Sequence, residues 1–361
     1  MTPRARELGI SIGSGTPGPL NAITDVAGVR VGHRTVVRGA DGDPHAVRTG
    51  VTAVFPHAGQ PWHEWVYAGV DILNGYGEMI GVNQLREWGV LMSPIVLTSS
   101  LQIGKAYDAT VRWIAGRDPI GAEEVMPVVS ECDDSWLSDV LSFPLADDDV
   151  AAALDAAAAG PVEEGNVGAG TGMQCFDFKG GIGTASRVLD DDGGSTVGAL
   201  VLTNYGSREH LRIDGVPVGR ELTDLMPREH HEGSCVVVVA TDAPVLPHQL
   251  TRIARRAGLG LAATGSYASN GSGEQMMAFS TSNRLDASEA TRDVRVVVDG
   301  PVRHTYALSA LFRATVEATE EAVANALVAA EDSVGRDGHT YFAMPVDRVL
   351  ESLDRAGRLS R

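Results

Sequence analysis

Short apolar segments bounded by glycine, aspartate or proline recur along the chain, and this pattern is typical of β-strands. The strand candidates are residues 50–55, 95–98, 196–204, 235–240, 276–280 and 294–298. Longer segments with helical period separate them: residues 150–159, 247–258, 308–332 and 345–357. In segment 308–332 an apolar stripe keeps helical spacing among glutamates, at Phe312, Val316, Val323 and Leu327. The pattern predicts a mixed α/β fold without internal repeats.

Length and charge restrict the class of protein further. The 361 residues are long enough for one large domain or two ordinary ones, and their 43% hydrophobic content is enough for a substantial core. With 29 basic and 47 acidic residues the net charge is −18, so nucleic acid and anionic membrane surfaces are not expected partners. No segment approaches the roughly 18 apolar residues of a membrane helix.

Cysteine usage and the N-terminal segment bear on the compartment. Cys132, Cys175 and Cys235 have no metal-ligand spacing and are too few for a disulfide framework. The first 26 residues carry charges and turn residues where a signal peptide needs an apolar stretch. We therefore expect a cytoplasmic protein.

The junction between Gly233 and Ser234 is the most unusual feature of the sequence. A wholly polar stretch, R-E-H-H-E-G, is followed directly by the apolar S-C-V-V-V-V-A. Glycine tolerates the strained backbone that a serine hydroxyl needs to attack its own preceding carbonyl. Cleavage there would free an α-amine on Ser234 with an ordinary pKa of about 7.7 to 8.0, able to act as general base for the neighbouring hydroxyl. A loop entering an edge strand is the alternative interpretation.

Several longer motifs occur in order along nearly the whole chain. They are T-P-G-P-L-N-A-I-T-D-V-A-G-V-R-V-G-H from Thr16, R-T-G-V-T from Arg48, N-G-x-G-E from Asn74, G-P-V-x-E-G-N-V-G-A-G-T-G-M from Gly160, F-K-G-G-I-G-T-A-S-R from Phe178, A-T-D-A-P-x-x-P-H-Q-L from Ala240, S-G-E from Ser272, and L-F-R-x-x-V-E-A-T-E-E-A from Leu311. In this order they resemble the DmpA/BapA family of autoprocessing aminopeptidases, also called β-peptidyl aminopeptidases or L-aminopeptidase/D-esterases.

The resemblance implies a fold, an activity and an assembly. The fold would be an α/β four-layer αββα sandwich of the N-terminal-nucleophile type. The precursor would be a single domain over residues 1–361. It would cut itself before Ser234 into an α chain, residues 1–233, and a β chain, residues 234–361, and both would stay in one core. The product would be a homo-oligomer of αβ heterodimers, a tetramer, that uses no metal or cofactor. Its substrates would be small peptides, amino amides or esters, hydrolysed beside a free amino group through an acyl-enzyme on Ser234.

The resemblance also assigns roles to other residues. Asn204 falls where the family has its oxyanion-hole asparagine, although a strand-end asparagine can also cap a turn. Ser272 and Glu274 match the S-G-E that supports the nucleophile, although alone it reads as a surface turn. Glu131, with Asp134 nearby, would pair with the substrate ammonium; a solvated acidic loop is the alternative.

Two positions beside Glu131 depart from the family. Cys132 replaces a threonine and Asp133 replaces an aromatic residue, which bears on substrate preference and rate. The L-T-S-S-L-Q-I-G stretch from Leu97 also differs from the family's asparagine-rich version. Three other functions therefore stay open: an amidase of the nylon-oligomer type, an acyltransferase of the ornithine-acetyltransferase type, and a non-catalytic protein that binds small amines.

Other motifs carry weaker signals. Adjacent His230, His231 and Glu232 suggest a metal site, but neighbouring histidines in a polar linker rarely converge on one ion. The glycine-rich 165–172 lacks the ending of a phosphate-binding loop and is interpreted as close backbone packing beside the active site. Cys235 is expected on the opposite strand face from Ser234, and His248 in the first turn of a helix.

Overall fold

The structure is a computed structural model that describes residues 3–189, 194–229, 233–298 and 307–359. The strands in chain order are β1 (Arg30–Arg38), β2 (Val47–Phe55), β3 (Glu64–Gly75), β4 (Met79–Ile80), β5 (Val90–Leu91), β6 (Ile95–Ser99), β7 (Val128–Cys132), β8 (Gln174–Cys175), β9 (Phe178–Lys179), β10 (Ile182–Val188), β11 (Thr196–Asn204), β12 (Ser234–Thr241), β13 (Gly273–Asp286), β14 (Ser333–Val334) and β15 (Thr340–Tyr341). The helices are α1 (Val82–Trp88), α2 (Ile103–Ala115), α3 (Pro119–Glu124), α4 (Asp147–Asp155), α5 (Pro247–Ala263), α6 (Ala307–Ala329) and α7 (Val346–Arg355).

Two sheets carry most of the strands. The five-stranded sheet has the order β1-β2-β6-β7-β4, and the six-stranded sheet has the order β10-β11-β12-β13-β3-β5. In the larger sheet β12 and β13 run parallel, while every other neighbouring pair is antiparallel. The run of four valines in β12 is fully buried, as expected of a central strand with both faces covered.

Helices cover the outer face of each sheet. Helices α5 and α6 pack on the six-stranded sheet, and α2 and α4 pack on the five-stranded sheet. The inner faces of the two sheets meet in a separate core that includes Val54, Leu97, Val236 and Phe279. The layers therefore follow the expected four-layer αββα order.

Most predicted elements are present, with shifted ends. The strand predicted at residues 196–204 matches β11, and that at 235–240 is the interior of β12. The helix predicted from residue 150 begins at Asp147, because three aspartates in its first turn favour the positive end of the helix dipole. The helix predicted to end at residue 258 continues to Ala263. His248 lies in the first turn of α5, as predicted.

The strand predicted at residues 294–298 is wrong. This segment has no regular structure, and Val298 is 84% exposed. Strand β12 pairs with β13 only as far as Ser280, and no strand pairs with residues 294–298. The Asn283 side chain instead pairs with the backbone of Arg295, through its oxygen at 3.1 Å and its Nδ2 at 2.8 Å.

Within the described ranges, no helix is both long and apolar enough to span a membrane.

Candidate active site

Ser234 is the first residue of the central strand β12 and is only 6% exposed. On one side it pairs in register with Asn204 at the end of β11. On the other side Cys235 pairs with Glu274 near the start of β13. Strand pairing thus brings three predicted site residues to one end of the six-stranded sheet.

Asn204 has its amide orientation fixed by the backbone. The N–H of Gln174 donates to Asn204 Oδ1 at 3.1 Å, and because a backbone N–H can only donate, the oxygen must face it. The Nδ2 group therefore points the other way and donates to the carbonyl of Asp133 at 2.8 Å. This places the amide donors beside the Gly233–Ser234 junction.

Gly233 passes so close to Asn204 that no side chain fits. A Cβ atom at position 233 would lie 1.7 Å from the carbonyl oxygen of Asn204 and 2.9 Å from its Nδ2. A real Cβ atom does not approach other atoms this closely, so the space at this position requires glycine.

Ser272 and Glu274 form a buried pair next to the serine. The Ser272 hydroxyl donates to Glu274 Oε1, and Glu274 is 1% exposed. Burial raises the pKa of Glu274, and the bond from Ser272 partly opposes that rise. Gly273 lies between them, and a Cβ atom there would be 3.2 Å from Ser234 Oγ. A cavity of about 10 Å³, lined in part by Tyr205 and Ser269, lies against both side chains of the pair.

Glu131 also lies close to Ser234. It is 4% exposed at the end of β7; its Oε1 accepts from the Glu78 N–H at 2.8 Å, and its Oε2 accepts from the Ser100 hydroxyl. Burial raises the pKa of this carboxyl, and the two hydrogen bonds oppose the rise. Gly77 separates the two groups, since a Cβ atom there would be 2.9 Å from Glu131 Oε1 and 3.8 Å from Ser234 Oγ.

The loop of residues 74–78 covers the serine and was assigned no role from sequence. The Ser234 hydroxyl donates to the carbonyl of Tyr76 at 3.4 Å, and Glu78 holds Glu131. The motif N-G-x-G-E contributed to the family resemblance, and the motif from Leu97 contains Ser100. The only sequence signal for these contacts was therefore that Tyr76, Glu78 and Ser100 lie within stretches that were compared with the family.

Asp134 is separated from this cluster by its own hydrogen bonds. It is 1% exposed, its Oδ1 accepts from Ser99 Oγ at 2.6 Å, and its Cβ would be 2.6 Å from a Cβ atom at Gly172. Burial raises its pKa to about 7. Glu131 therefore lies near Ser234. Among the described residues, no contact joins Asp134 to Ser234.

The two departures from the family lie in different surroundings. Cys132 is buried in the core between the sheets, where its sulfur is 3.9 Å from the carbonyl of Leu202. Asp133 has an exposed side chain that accepts two hydrogen bonds from Ser135. Only its backbone carbonyl contacts Asn204.

The remaining candidates have plain structural positions. Cys235 packs under the outer helices, on the opposite strand face from Ser234, as predicted. The glycine-rich stretch makes close backbone contacts, as expected: a Cβ atom at Gly172 would be 2.2 Å from the carbonyl oxygen of Arg48. His230, His231 and Glu232 lie outside the described residues, and elsewhere no cluster of His, Cys, Asp or Glu side chains could hold a metal ion.

Two larger surface hollows lie elsewhere. They measure about 400 and 500 Å³, both are lined in part by Trp88, and they share no residue with the cluster around Ser234.

Known proteins resemble this chain over nearly its whole length. It is 43% identical to the β-peptidyl aminopeptidase BapA of Sphingosinicella xenopeptidilytica, across 96% of this chain and 90% of that protein. The solved structure of an L-aminopeptidase D-Ala-esterase/amidase from Ochrobactrum anthropi, described as a new variant among the Ntn hydrolase fold, superposes with a TM-score of 0.92. That match is 43% identical and covers 99% of this chain and 100% of the other.

A β-aminopeptidase from a Burkholderia species superposes with a TM-score of 0.90 at 45% identity, across 98% of this chain and 99% of the other. The family profile described as Peptidase family S58 matches residues 21–341. This chain therefore belongs to peptidase family S58.

Proposed function

We propose that this protein is a self-processing serine aminopeptidase that cuts itself between Gly233 and Ser234 and then hydrolyses amide or ester bonds beside a free amino group. One observation carries the proposal: Ser234 opens a central strand with the amide donors of Asn204 on one side and the carboxylate of Glu131 on the other. The printed names of the relatives, which are aminopeptidases and an esterase/amidase, agree with it.

Self-cleavage would proceed by an acyl shift. The Ser234 hydroxyl attacks the carbonyl carbon of Gly233, the C–N bond breaks, and an ester joins Gly233 to the serine oxygen. Water then hydrolyses the ester, which leaves a carboxylate on Gly233 and an amine on Ser234. With the peptide bond intact the Ser234 nitrogen cannot accept a proton, so cleavage creates the base that substrate hydrolysis needs.

Substrate hydrolysis would use the same groups twice. The free Ser234 amine takes the hydroxyl proton as the oxygen attacks the substrate carbonyl, then gives that proton to the leaving amine. Asn204 Nδ2 donates to the oxygen that becomes negative in the tetrahedral intermediate. Ser272 and Glu274 orient the hydrogen bonds around the amine, and water releases the acyl group as a free acid.

Glu131 would recognise the substrate ammonium. Each of its oxygens accepts one hydrogen bond from the protein, and a carboxylate oxygen can accept another. A cation bound there would also offset the charge repulsion and burial that raise the pKa of Glu131. We assign this role to Glu131 and not to Asp134, since Asp134 Oδ1 accepts from Ser99 Oγ.

The position of the cut bears on whether the two chains would stay together. The new N-terminus is the first residue of a strand paired on both sides, so residues 1–233 and 234–361 would remain in one domain after cleavage. We propose a homo-oligomer of such heterodimers, a tetramer, acting in the cytoplasm on small peptides, amides and esters without a metal or cofactor.

Mass spectrometry and substrate assays together test the proposal. Denatured protein should give two polypeptides, the smaller beginning Ser-Cys-Val, and S234A should give one uncut, inactive chain. The protein should release free acid from amino-acid p-nitroanilides and leave the N-acetylated forms intact. An intact chain with full activity would overturn the terminal-amine mechanism. Transfer of the acyl group to an added amine in place of water would make the protein an acyltransferase.

A further inference from the structure

Lys179 is a fully buried lysine whose three donors all go to backbone carbonyls. Its Nζ donates to Gly170 O at 3.0 Å, Met173 O at 2.7 Å and Gly180 O at 2.8 Å. Burying an ammonium without a hydrogen-bonded carboxylate is costly, and this burial lowers the pKa of Lys179, while three carbonyls that can only accept favour its protonated form. An apolar residue would fill the space at lower cost, so the charge calls for an explanation beyond packing.

The three carbonyls surround the residue that orients Asn204. Gln174 directly follows Met173 in the chain and pairs in register with Lys179 across the β8–β9 hairpin. Its N–H is the donor that fixes the oxygen of Asn204. Because Lys179 joins Gly170, Met173 and Gly180 at one point, it closes the turn on both sides of Gln174. Removing the ammonium would leave three carbonyls with their strongest donor lost.

We propose that Lys179 is a positioning residue for the reaction: its ammonium holds the turn of residues 170–180 so that the Gln174 N–H keeps the Asn204 amide aimed at the reacting carbonyl. The inference rests on the proposed function of Asn204 as the oxyanion donor. Lys179 itself touches no reacting atom, so it acts through Asn204 alone. Its effect must therefore disappear when Asn204 is removed.

A double-mutant cycle tests this dependence. K179M, which removes the donors and keeps the length of the side chain, should lower kcat for an amino-acid p-nitroanilide about tenfold and change KM less than twofold, a part of the roughly 100-fold scale of an oxyanion donor. In an N204A background K179M should change kcat less than twofold. Equal losses in both backgrounds would overturn the proposal. If K179M does not fold, the same double-mutant cycle is measured with K179Q, which keeps two N–H donors.

Two control variants separate positioning from general loss of stability. K105M removes the only other lysine, a half-buried residue paired with Asp147, and should leave kcat unchanged. V349A opens a small cavity in the buried side of α7 and should lower the melting temperature while keeping kcat. If V349A lowers kcat as much as K179M at a matched melting temperature, Lys179 has only a structural role.

Hydrogen–deuterium exchange provides a readout that does not need activity. K179M should speed exchange in the peptide that contains residues 168–176, and V349A should not. If the wild-type protein hydrolyses no free-amine substrate, the proposed function fails, yet this measurement still decides whether Lys179 holds the turn. Unchanged exchange in K179M would overturn the inference even in an active enzyme.

Discussion

At the residue scale, the amide of Asn204 and the carboxyl of Glu274 lie on opposite sides of Ser234 and have different roles in hydrogen bonding. The amide presents donors because its oxygen is already occupied by Gln174. The carboxyl is buried and accepts from Ser272, so it can orient a neighbouring polar group without meeting solvent. Loss of either side chain should damage catalysis while leaving the strands around it paired.

We expect N204A and E274A each to fold and to lower turnover by roughly 100-fold or more, the scale of a lost oxyanion donor or orienting group. Steady-state kinetics with an amino-acid p-nitroanilide measure the loss, and circular dichroism checks the fold. N204D is the matched control for the donor, because it keeps the size and the acceptor oxygen but has no N–H. Wild-type turnover in these variants would remove both residues from the mechanism.

Glu131 should determine the requirement for a free amine. E131Q keeps the shape and removes the charge, and losing a charged hydrogen bond of about 1.5–3 kcal/mol predicts roughly a 10- to 150-fold fall in kcat/KM for free-amine substrates. The ratio of rates for free and N-acetylated substrates measures the effect. D133N is the control, since the Asp133 side chain is exposed and bonded to Ser135. A larger effect of D133N than of E131Q would transfer the role to Asp133.

At the scale of elements, strand pairing and one loop build the site. Strands β11, β12 and β13 bring Asn204, Ser234 and Glu274 together at the same sheet end. The loop after β3 then crosses this end and contacts both Ser234 and Glu131. Asn204, Ser234 and Glu274 are therefore held by strands of the central sheet, whereas the contacts to Tyr76 and Glu78 depend on the loop.

Strand β1 carries a histidine that should make the fold sensitive to acid. Burial lowers the pKa of His33 from 6.5 to about 4, while its Nδ1 lies 2.9 Å from Thr52 Oγ1. Between these two pH values the unfolded chain binds the proton and the folded chain does not, so stability falls as the pH drops from about 6.5 to 4. The largest loss that this shift allows is about 3 kcal/mol.

Urea unfolding of the uncut S234A chain at several pH values measures this effect. In S234A/H33N the fall in the unfolding midpoint between pH 6.5 and 4 should be shallower than in S234A. H45N is the control: Asp139 raises the pKa of exposed His45, so the contribution of His45 is fully present below about pH 6.5 and is lost only as the pH rises above it. H45N should therefore leave the slope between pH 6.5 and 4 unchanged. The same slope with and without H33N would show that His33 does not titrate as its burial requires.

At the scale of the whole molecule, family motifs that are far apart in the sequence come together in a buried ionic cluster. Arg187 is fully buried and contacts Glu317 at 3.1 Å and Glu321 at 2.6 Å. Glu317 also accepts from the Gly15 N–H at 2.8 Å, and Glu321 accepts from Asn21 at 2.5 Å. Removing one partner from such a network leaves an unpaired buried charge, which is strongly destabilising. These motifs thus join the N-terminal segment, β10 and α6 and serve the fold.

This cluster also links residues 3–189 to α6, on the other side of the proposed cut. We expect the two chains to remain together after cleavage, so native mass spectrometry should give multiples of the 37.9 kDa chain while denatured samples give two fragments. Both fragments should unfold in one transition by calorimetry, because the inner core contains residues from both. Separation of the fragments without denaturant would contradict this expectation.

The sequence by itself determined the properties that depend on neighbours along the chain. Apolar runs predicted β11 and the interior of β12, because central strands need both faces buried. The change from polar linker to apolar strand marked the junction at Ser234, and the ordered motifs indicated the family and its four-layer fold. The strand predicted at residues 294–298 was wrong, because the backbone of Arg295 bonds to the Asn283 side chain and not to a neighbouring strand.

Only the tertiary structure decided which distant side chains meet. Glu131 and Asp134 are three residues apart, and sequence could not separate them, yet the first lies across Gly77 from Ser234 while the second bonds to Ser99. The contacts of Tyr76, Ser100 and Lys179 likewise could not be predicted from the sequence, because they join backbone and side chains from separate segments. These contacts depend on strand register and on loop closure over long sequence separations, and a local sequence pattern does not determine either.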